Sequence, residues 1–188
     1  KDNWEQCEVC QQLMQQEGYQ KVDELQNRFV KIMTNYVKGK GKKVMGWDDA
    51  FLEKDPQDLI YTYWRDWLPD QPGKITQKGY PIVFMEWSRF YLSATPSDEG
   101  LSSLYNFEFE PQFPSIVKQN VLGFQACVWT EMIPNERKFG QHVFPSLQAF
   151  SELAWGSSRN WIDFTNRLKW HVKWLNANGF YFTKPGFL

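Results

Sequence analysis

Three short stretches set a tryptophan beside charged or polar neighbours directly after an apolar run: Gly46-Trp47-Asp48-Asp49, Tyr63-Trp64-Arg65-Asp66 and Trp129-Thr130-Glu131. An indole offers a flat apolar face to the C–H side of a pyranose, and a carboxylate accepts hydrogen bonds from its hydroxyls. A sugar is the ligand this chemistry fits. The clearest case is Gln125-Ala126-Cys127-Val128-Trp129-Thr130-Glu131, where an apolar strand runs straight into Trp and Glu. The C-terminal ends of strands are where barrel enzymes keep their substrate groups. Ten Trp and fifteen Phe among 188 residues exceed what a core needs, so some aromatics are expected to line a ligand surface.

For these residues to act together, successive parallel strands must deliver them to one end of a sheet. Four apolar or β-rich runs supply the strands: Lys43 to Trp47, Leu59 to Trp64, Tyr80 to Met85 and Val121 to Trp129. Helical patterns lie between and around them. Val22 to Val37 carries a broad apolar stripe, with Gly39 and Gly41 as a stop. Pro72 to Lys78 forms a short helix ended by Gly79, and Pro145 opens another through Leu147, Phe150, Leu153, Ala154 and Trp155. A last helix runs from Asn160 to Ala177, with Trp161, Phe164, Leu168, His171, Val172 and Leu175 on one face. The stretch from Ser93 to Lys118, with Pro96, Gly100, Pro111 and Pro114, reads as an extended loop. Alternation of strand and helix implies a parallel α/β sheet. No Gly-rich phosphate loop follows any strand, which favours a (β/α)8 barrel over a doubly wound sheet. A whole barrel takes about 250 residues, so four strands amount to a partial barrel, and residues 1–188 read as a single region.

Composition excludes some partners. With 21 basic against 22 acidic side chains there is no field to recruit nucleic acid or an anionic membrane. No apolar stretch approaches the roughly 18 residues of a membrane span. Lys1-Asp2-Asn3-Trp4-Glu5-Gln6 lacks the features of a secretory signal, and there is no initiator Met, so the reading is a mature product or a fragment. Three Cys form no closed disulfide set. Cys7 and Cys10 form a CxxC with no second one and with His142 and His171 distant in sequence, so they read as free or locally linked thiols. No metal and no cofactor is expected.

The chain resembles glycoside hydrolase family 20, the β-N-acetylhexosaminidases, and within it the C-terminal half of the catalytic barrel. The residues that carry the resemblance are Gly46-Trp47-Asp48-Asp49 after the fifth barrel strand, Trp64-Arg65 after the sixth, Tyr91-Leu92 after the seventh and Trp129-Thr130-Glu131 after the eighth. Phe144-Pro145-Ser146-Leu147 through Ser151-Glu152-Leu153-Ala154-Trp155 match the closing helix. Five matches in the family's order, one βα unit apart, make the signal specific. The resemblance implies an α/β fold, a partial (β/α)8 barrel of strands five to eight with their helices, and hydrolysis of terminal N-acetylglucosamine or N-acetylgalactosamine. It also implies substrate-assisted catalysis, an exception to the usual carboxylate pair. The substrate's own 2-acetamido oxygen attacks the anomeric carbon. The resemblance assigns the apolar box around that group to Trp47, Trp64 and Trp129, donation to its oxygen to Tyr91, and the sugar's far hydroxyls to Glu131.

Two departures stand out. Where the family commonly has a carboxamide or carboxylate after Tyr-Leu, this chain has Ser93, leaving the outer hydroxyls to Glu131. The family's His-x-Gly-Gly-Asp-Glu motif, source of the general acid, is absent from these residues, and Trp4 to Gln12 looks like the stretch just downstream of it. The isolated chain is therefore expected to be inactive. Its partners would be an N-acetylhexosamine glycan and, across sheet edges left open at Lys43 to Trp47 and Val121 to Trp129, either the missing N-terminal half or a second copy. The alternatives are a non-catalytic sugar-binding or structural half-barrel, and an unrelated aromatic-rich α/β binding domain. Family habit implies a periplasmic or extracellular address, which no residue here shows. Trp67 and Trp87 read as packing residues, His171 as a hydrogen-bonded core histidine, and Glu152 as a buried carboxylate paired with an Arg.

Overall fold

The computed structural model describes residues 1–109, 112–156 and 158–188, so Pro111 of the expected loop lies outside the described residues. The chain forms two compact units: Lys1–Tyr63, Leu68–Val83 and Ser115–Leu122 make the first, and Trp64–Trp67, Phe84–Pro114 and Gly123–Leu188 the second. The four strands are β1 (Met45–Trp47), β2 (Ile60–Tyr63), β3 (Ile82–Phe84) and β4 (Val121–Phe124), in sheet order β1-β2-β3-β4. The ladder of β1 and β2 is parallel, with Met45 opposite Ile60, Gly46 opposite Tyr61 and Trp47 opposite Thr62. Every strand is shorter than its apolar run.

The first unit begins with α1 (Asp2–Glu5), α2 (Glu8–Glu17) and α3 (Val22–Gly39). Gly18 ends α2 at φ 72°, a left-handed conformation that glycine adopts without a Cβ clash. Glu24 then opens α3: its Oε2 accepts the Gln20 N–H at 2.7 Å and the Lys21 N–H at 2.9 Å. Those donors hold the carboxyl below its usual range. Helices α4 (Gln71–Gln77) and α7 (Ser115–Asn120) complete the unit, and Tyr61, Ile75 and Val117 are buried in it. The apolar stripe of α3 is only partly used: Leu25 is buried, while Phe29, Ile32, Met33 and Tyr36 are exposed. Phe29, Ile32 and Met33 line a groove of about 700 Å³ shared with Met45, Gly46 and Trp47 of β1.

The second unit holds α5 (Trp87–Phe90), α6 (Asp98–Tyr105), α8 (Glu136–Val143), α9 (Ser146–Trp155) and α10 (Trp161–Ala177). Its core is a phenylalanine cluster. Phe84 lies 5.0 Å from Phe109 and 5.1 Å from Phe113 between ring centroids, and Phe90 lies 5.6 Å from Phe124. Nearly all of these contacts are edge-to-face, the geometry the ring quadrupoles favour. The stretch expected as an extended loop carries two short helices: Ser97 caps α6 by accepting the Gly100 N–H at 3.0 Å, and Ser115 to Asn120 form α7.

Three side-chain expectations change. His171 is exposed and stacks on Trp174 at 5.7 Å. The buried stripe of α10 is Phe164, Leu168 and Leu175, and although a spacing of seven from Phe164 puts His171 on the same face, it borders a solvent-open hollow with Glu152 and Arg167 there. Trp155 is 90% exposed, since α9 buries Ala149 and Leu153 instead. Glu152 is paired as expected but only half-buried: it receives the Arg167 guanidinium, with Nη2 at 2.9 Å, and the Tyr105 hydroxyl at 3.2 Å. The Arg167 hydrogen bonds hold its carboxyl below the usual range.

Tyr105 joins α6, α9 and α10. Its ring stacks on Phe164 at 4.6 Å, and its hydroxyl donates to Glu152 while accepting the Asn160 N–H at 2.9 Å. Tyr105→Phe keeps the ring and removes both hydrogen bonds. It is expected to lower unfolding free energy by about 1–3 kcal/mol, read as a shifted urea midpoint at unchanged m-value; an unmoved midpoint would contradict the assignment.

Candidate active site

Of the side chains singled out in the sequence, Trp47 ends β1 and Trp64 follows β2, while Tyr91, Trp129 and Glu131 lie several residues past the ends of β3 and β4. In the first unit, Trp47 closes β1, 37% exposed, on the wall of the groove beside α3. Gly46 before it is closely approached: a Cβ there would meet Leu59 Cδ1 at 3.1 Å. Asp48, next in the chain, is fully buried, and its main-chain oxygen accepts from Gln71 Nε2 at 3.3 Å.

The second unit brings together Trp64, Tyr91, Trp129 and Glu131 as parts of two local arrangements. Past β3, Tyr91 pairs with Cys127 in a parallel bridge, with Leu92 N–H donating to Cys127 O at 2.7 Å and Cys127 N–H to Phe90 O at 3.0 Å. This short ladder sets the Tyr91 ring 5.9 Å from that of Trp129. Ser93 adds a second tie, its hydroxyl accepting the Trp129 N–H at 2.9 Å. The residue noted as a departure therefore fixes the main chain under the indole. Tyr91 is half-buried and Trp129 is 41% exposed. Glu131 follows in an exposed 3₁₀ turn, Thr130–Met132.

The other arrangement surrounds Trp64. Its carbonyl accepts the Trp87 N–H at 3.0 Å, and Asp66 Oδ2 accepts the Ser88 N–H at 2.9 Å. Trp64 meets Trp67 edge-on at 4.9 Å, and Trp67 meets Trp87 at 6.4 Å. Trp67 and Trp87 are each 55% exposed, against the expectation that they pack. The residues they would pack on are one another, and an edge-on contact leaves an indole face uncovered.

Glu86 is a buried carboxylate near these residues that the sequence reading passed over. It directly precedes α5, is 3% exposed, and pairs with the Arg89 guanidinium, which also lies 4.9 Å from the Phe107 ring. Burial pushes its carboxyl up to about 6, Arg89 pulls it back, and the nearby Asp66 charge raises it further. The available signal was position: a carboxylate between Met85 and Trp87 at the end of a wholly buried strand. A raised folded-state value means the folded chain holds this proton more tightly than the unfolded one. Stability is therefore highest below about 4.5 and falls as pH rises through about 6. The loss amounts to about 2 kcal/mol. Urea unfolding at pH 4.5 and 7 should show that difference, with Glu86→Gln shrinking it; an identical pH dependence in the variant would remove Glu86 as its source.

Comparison with known proteins adds the family. The sequence model of the glycosyl hydrolase family 20 catalytic domain matches residues 1–158. The chain belongs to that family. Among its relatives, this family 20 chain is 26% identical over 167 residues to a beta-N-acetylhexosaminidase of Cellulomonas fimi, covering 81% of this chain and 34% of that protein. It is 26% identical over 165 residues to a beta-hexosaminidase of Vibrio furnissii, covering 79% and 26%. The crystal structure of a family 20 exo beta-N-acetylglucosaminidase from Vibrio harveyi, in complex with N-acetylglucosamine, superposes with a TM-score of 0.80 at 26% identity. It covers 96% of this chain and 31% of that one. The chain thus spans a third or so of these relatives' length. The family 20 neighbours are (β/α)8 barrels, and the family 20 chain is a partial barrel, its four strands corresponding to strands five to eight.

Proposed function

We propose that this chain is the C-terminal part of the catalytic barrel of an exo-acting β-N-acetylhexosaminidase, which removes terminal N-acetylglucosamine or N-acetylgalactosamine with retention of configuration. The observation that carries this reading is the Tyr91–Trp129 pair, two rings 5.9 Å apart beyond adjacent strands and tied by the Cys127 bridge and the Ser93 hydroxyl. In the reaction, the acetamido oxygen of the substrate bonds to the anomeric carbon as the glycosidic C–O bond breaks, and the departing oxygen takes a proton from a carboxylic acid. Water then opens the oxazolinium ring from the opposite face. Trp64 and Trp129 wall the acetamido group, the Tyr91 hydroxyl donates to its oxygen, and Glu131 accepts from the outer hydroxyls. Holding the nucleophile in line in this way supplies several kcal/mol of barrier reduction.

The proton donor is the part these 188 residues do not provide, because no His-x-Gly-Gly-Asp-Glu occurs in them. We assign it to preceding barrel polypeptide, which would also cover the apolar groove beside β1. Self-association through the same edge is the competing arrangement, and a stable monomer by light scattering would argue against it. A non-catalytic sugar-binding half-barrel is the second reading, favoured by the same missing motif.

The test is proton NMR of the first sugar released by the full-length polypeptide from a β-N-acetylglucosaminide. The β anomer should appear first, and the matching glucoside, which lacks the acetamido group, should not be cleaved. Initial appearance of the α anomer, or cleavage of the glucoside, would contradict substrate assistance.

A further inference from the structure

We infer that Cys7 and Cys10 form a reversible dithiol–disulfide site, in which the Cys7 thiolate attacks a small-molecule disulfide such as glutathione disulfide and Cys10 closes the intrachain bond. The inference stands apart from the hydrolase reading, since neither residue has a part in the proposed sugar chemistry.

The two thiols occupy one turn at the start of a helix. Cys7 is the N-cap of α2 and Cys10 its third residue. Main-chain hydrogen bonding fixes that turn: the Gln11 N–H donates to Cys7 O at 2.9 Å, while Gln11 Nε2 donates to Glu5 O at 3.1 Å and ties α1 to it. Cys7 has extended dihedrals, φ −84° and ψ 116°. An N-cap residue in that conformation folds its side chain back over the first turn toward the third position, as in a capping box.

The same turn gives the thiols different roles. The N–H groups of a first helical turn have no acceptor inside the helix and carry the positive end of its dipole. The N–H and then the S–H of Cys10 beside it hold the Cys7 thiol below its ordinary value, and the Cys7 side chain pushes that of Cys10 up. Of two thiols, the one that ionises more readily is the attacking group. Cys10 also lines the apolar groove, with Leu13 and Met33, a placement suited to the second, intramolecular step. Cys127 is the contrast: it is buried, and burial pushes its thiol up.

In the reaction the Cys7 thiolate displaces one thiolate from the small disulfide and forms a mixed disulfide. The Cys10 thiol then loses its proton to water, attacks the Cys7 sulfur and expels the second thiolate. The pair gives up two electrons and two protons, and the small disulfide becomes two thiols. Only Glu8 and Val9 lie between the cysteines. A disulfide stabilises a fold more the longer the loop it closes, so this pair is placed for exchange rather than as a staple. A thiolate metal centre is the other use of a CxxC, but it takes four ligands, and among the described residues no group of three or more His, Cys, Asp or Glu is placed to hold an ion.

The experiment uses the full-length polypeptide in glutathione buffers of rising disulfide content, acid-quenched, alkylated and read by peptide mass spectrometry. The peptide holding Cys7 and Cys10 should lose two hydrogens and escape alkylation in the oxidised buffers, and dithiothreitol should restore both thiols. After reduction and desalting, limiting iodoacetamide at neutral pH should label Cys7 about tenfold faster than Cys10, a preference that urea abolishes. Cys10→Ser should accumulate a glutathione adduct on Cys7, and Cys7→Ser should leave Cys10 unmodified. Both thiols staying reduced under excess glutathione disulfide, an adduct on Cys10 in place of Cys7, or a bond from either to another cysteine would overturn the site. None of these readings depends on sugar hydrolysis, so their failure would leave the hydrolase standing.

Discussion

Purified by itself, the 188-residue chain is expected to release no chromophore from p-nitrophenyl N-acetyl-β-glucosaminide. Expelling an alcohol-type oxygen at neutral pH needs a carboxylic acid that still holds its proton and stands within hydrogen-bond reach of that oxygen. Glu86 comes nearest to the first condition, with its carboxyl pushed up to about 6, yet it is mostly ionised at neutral pH, and it fails the second, being 3% exposed and clasped by Arg89. Glu131 lies in an exposed turn, where the resemblance gives it the sugar's hydroxyls rather than the leaving oxygen. Turnover by the pure chain, abolished by Glu86→Gln or Glu131→Gln, would show that one of these carboxyls does serve as the acid and would contradict the division of labour proposed here.

The second large effect belongs to Tyr91. In the full-length polypeptide Tyr91→Phe should lower kcat by about 10² to 10³. The ring stays, so its contact with Trp129 and the neighbouring Cys127 bridge are kept, and the loss isolates the hydroxyl. That hydroxyl is proposed to donate to an amide oxygen that gains a bond to carbon in the transition state, where a fixed donor in a water-poor site is worth most. The fall should appear in kcat more than in KM, since the ground-state amide is already hydrogen-bonded in water. An unchanged kcat would remove Tyr91 from the mechanism.

Much of the scaffold is visible in the residues alone, because buried parallel strands are apolar throughout and their runs are unmistakable. All four strands and the helices near Val22, Pro72, Pro145 and Asn160 lie where those patterns place them. The ends do not. Val121 to Trp129 is apolar along its length, yet the strand stops at Phe124, and the rest continues only as a bridge from Cys127 to Tyr91. Apolar character records burial, while strand identity depends on which main chain lies alongside, and that partner is remote in sequence. Two of the overlooked helices carried readable starts. Asn135 caps α8 by accepting the Lys138 N–H at 3.0 Å, and Ser97-Asp98-Glu99 opens α6 with a cap and two first-turn acids. Surrounding Pro and Gly residues masked both.

The strand-end tryptophans, Tyr91 and Glu131 could be picked out by type and spacing, but the groups that hold them could not. Ser93 bonds a main-chain N–H thirty-six residues away, and Glu86 gains its raised proton affinity from burial. The exposure of Trp67 and Trp87 was illegible for a related reason. An indole counts as apolar wherever it sits, and only the three-dimensional arrangement distinguishes a buried face from one left open.

The claim on which the rest depends is that indoles from beyond successive strands enclose one acetamido group beside Tyr91. It is tested most directly by a crystal structure of the full-length polypeptide with a stable analogue of the oxazolinium intermediate. The account predicts the analogue's methyl group in van der Waals contact with Trp64 and Trp129, and its ring sulfur, in the place of the acetamido oxygen, facing the Tyr91 hydroxyl. An analogue bound elsewhere, or indoles directed at separate hollows, would contradict it.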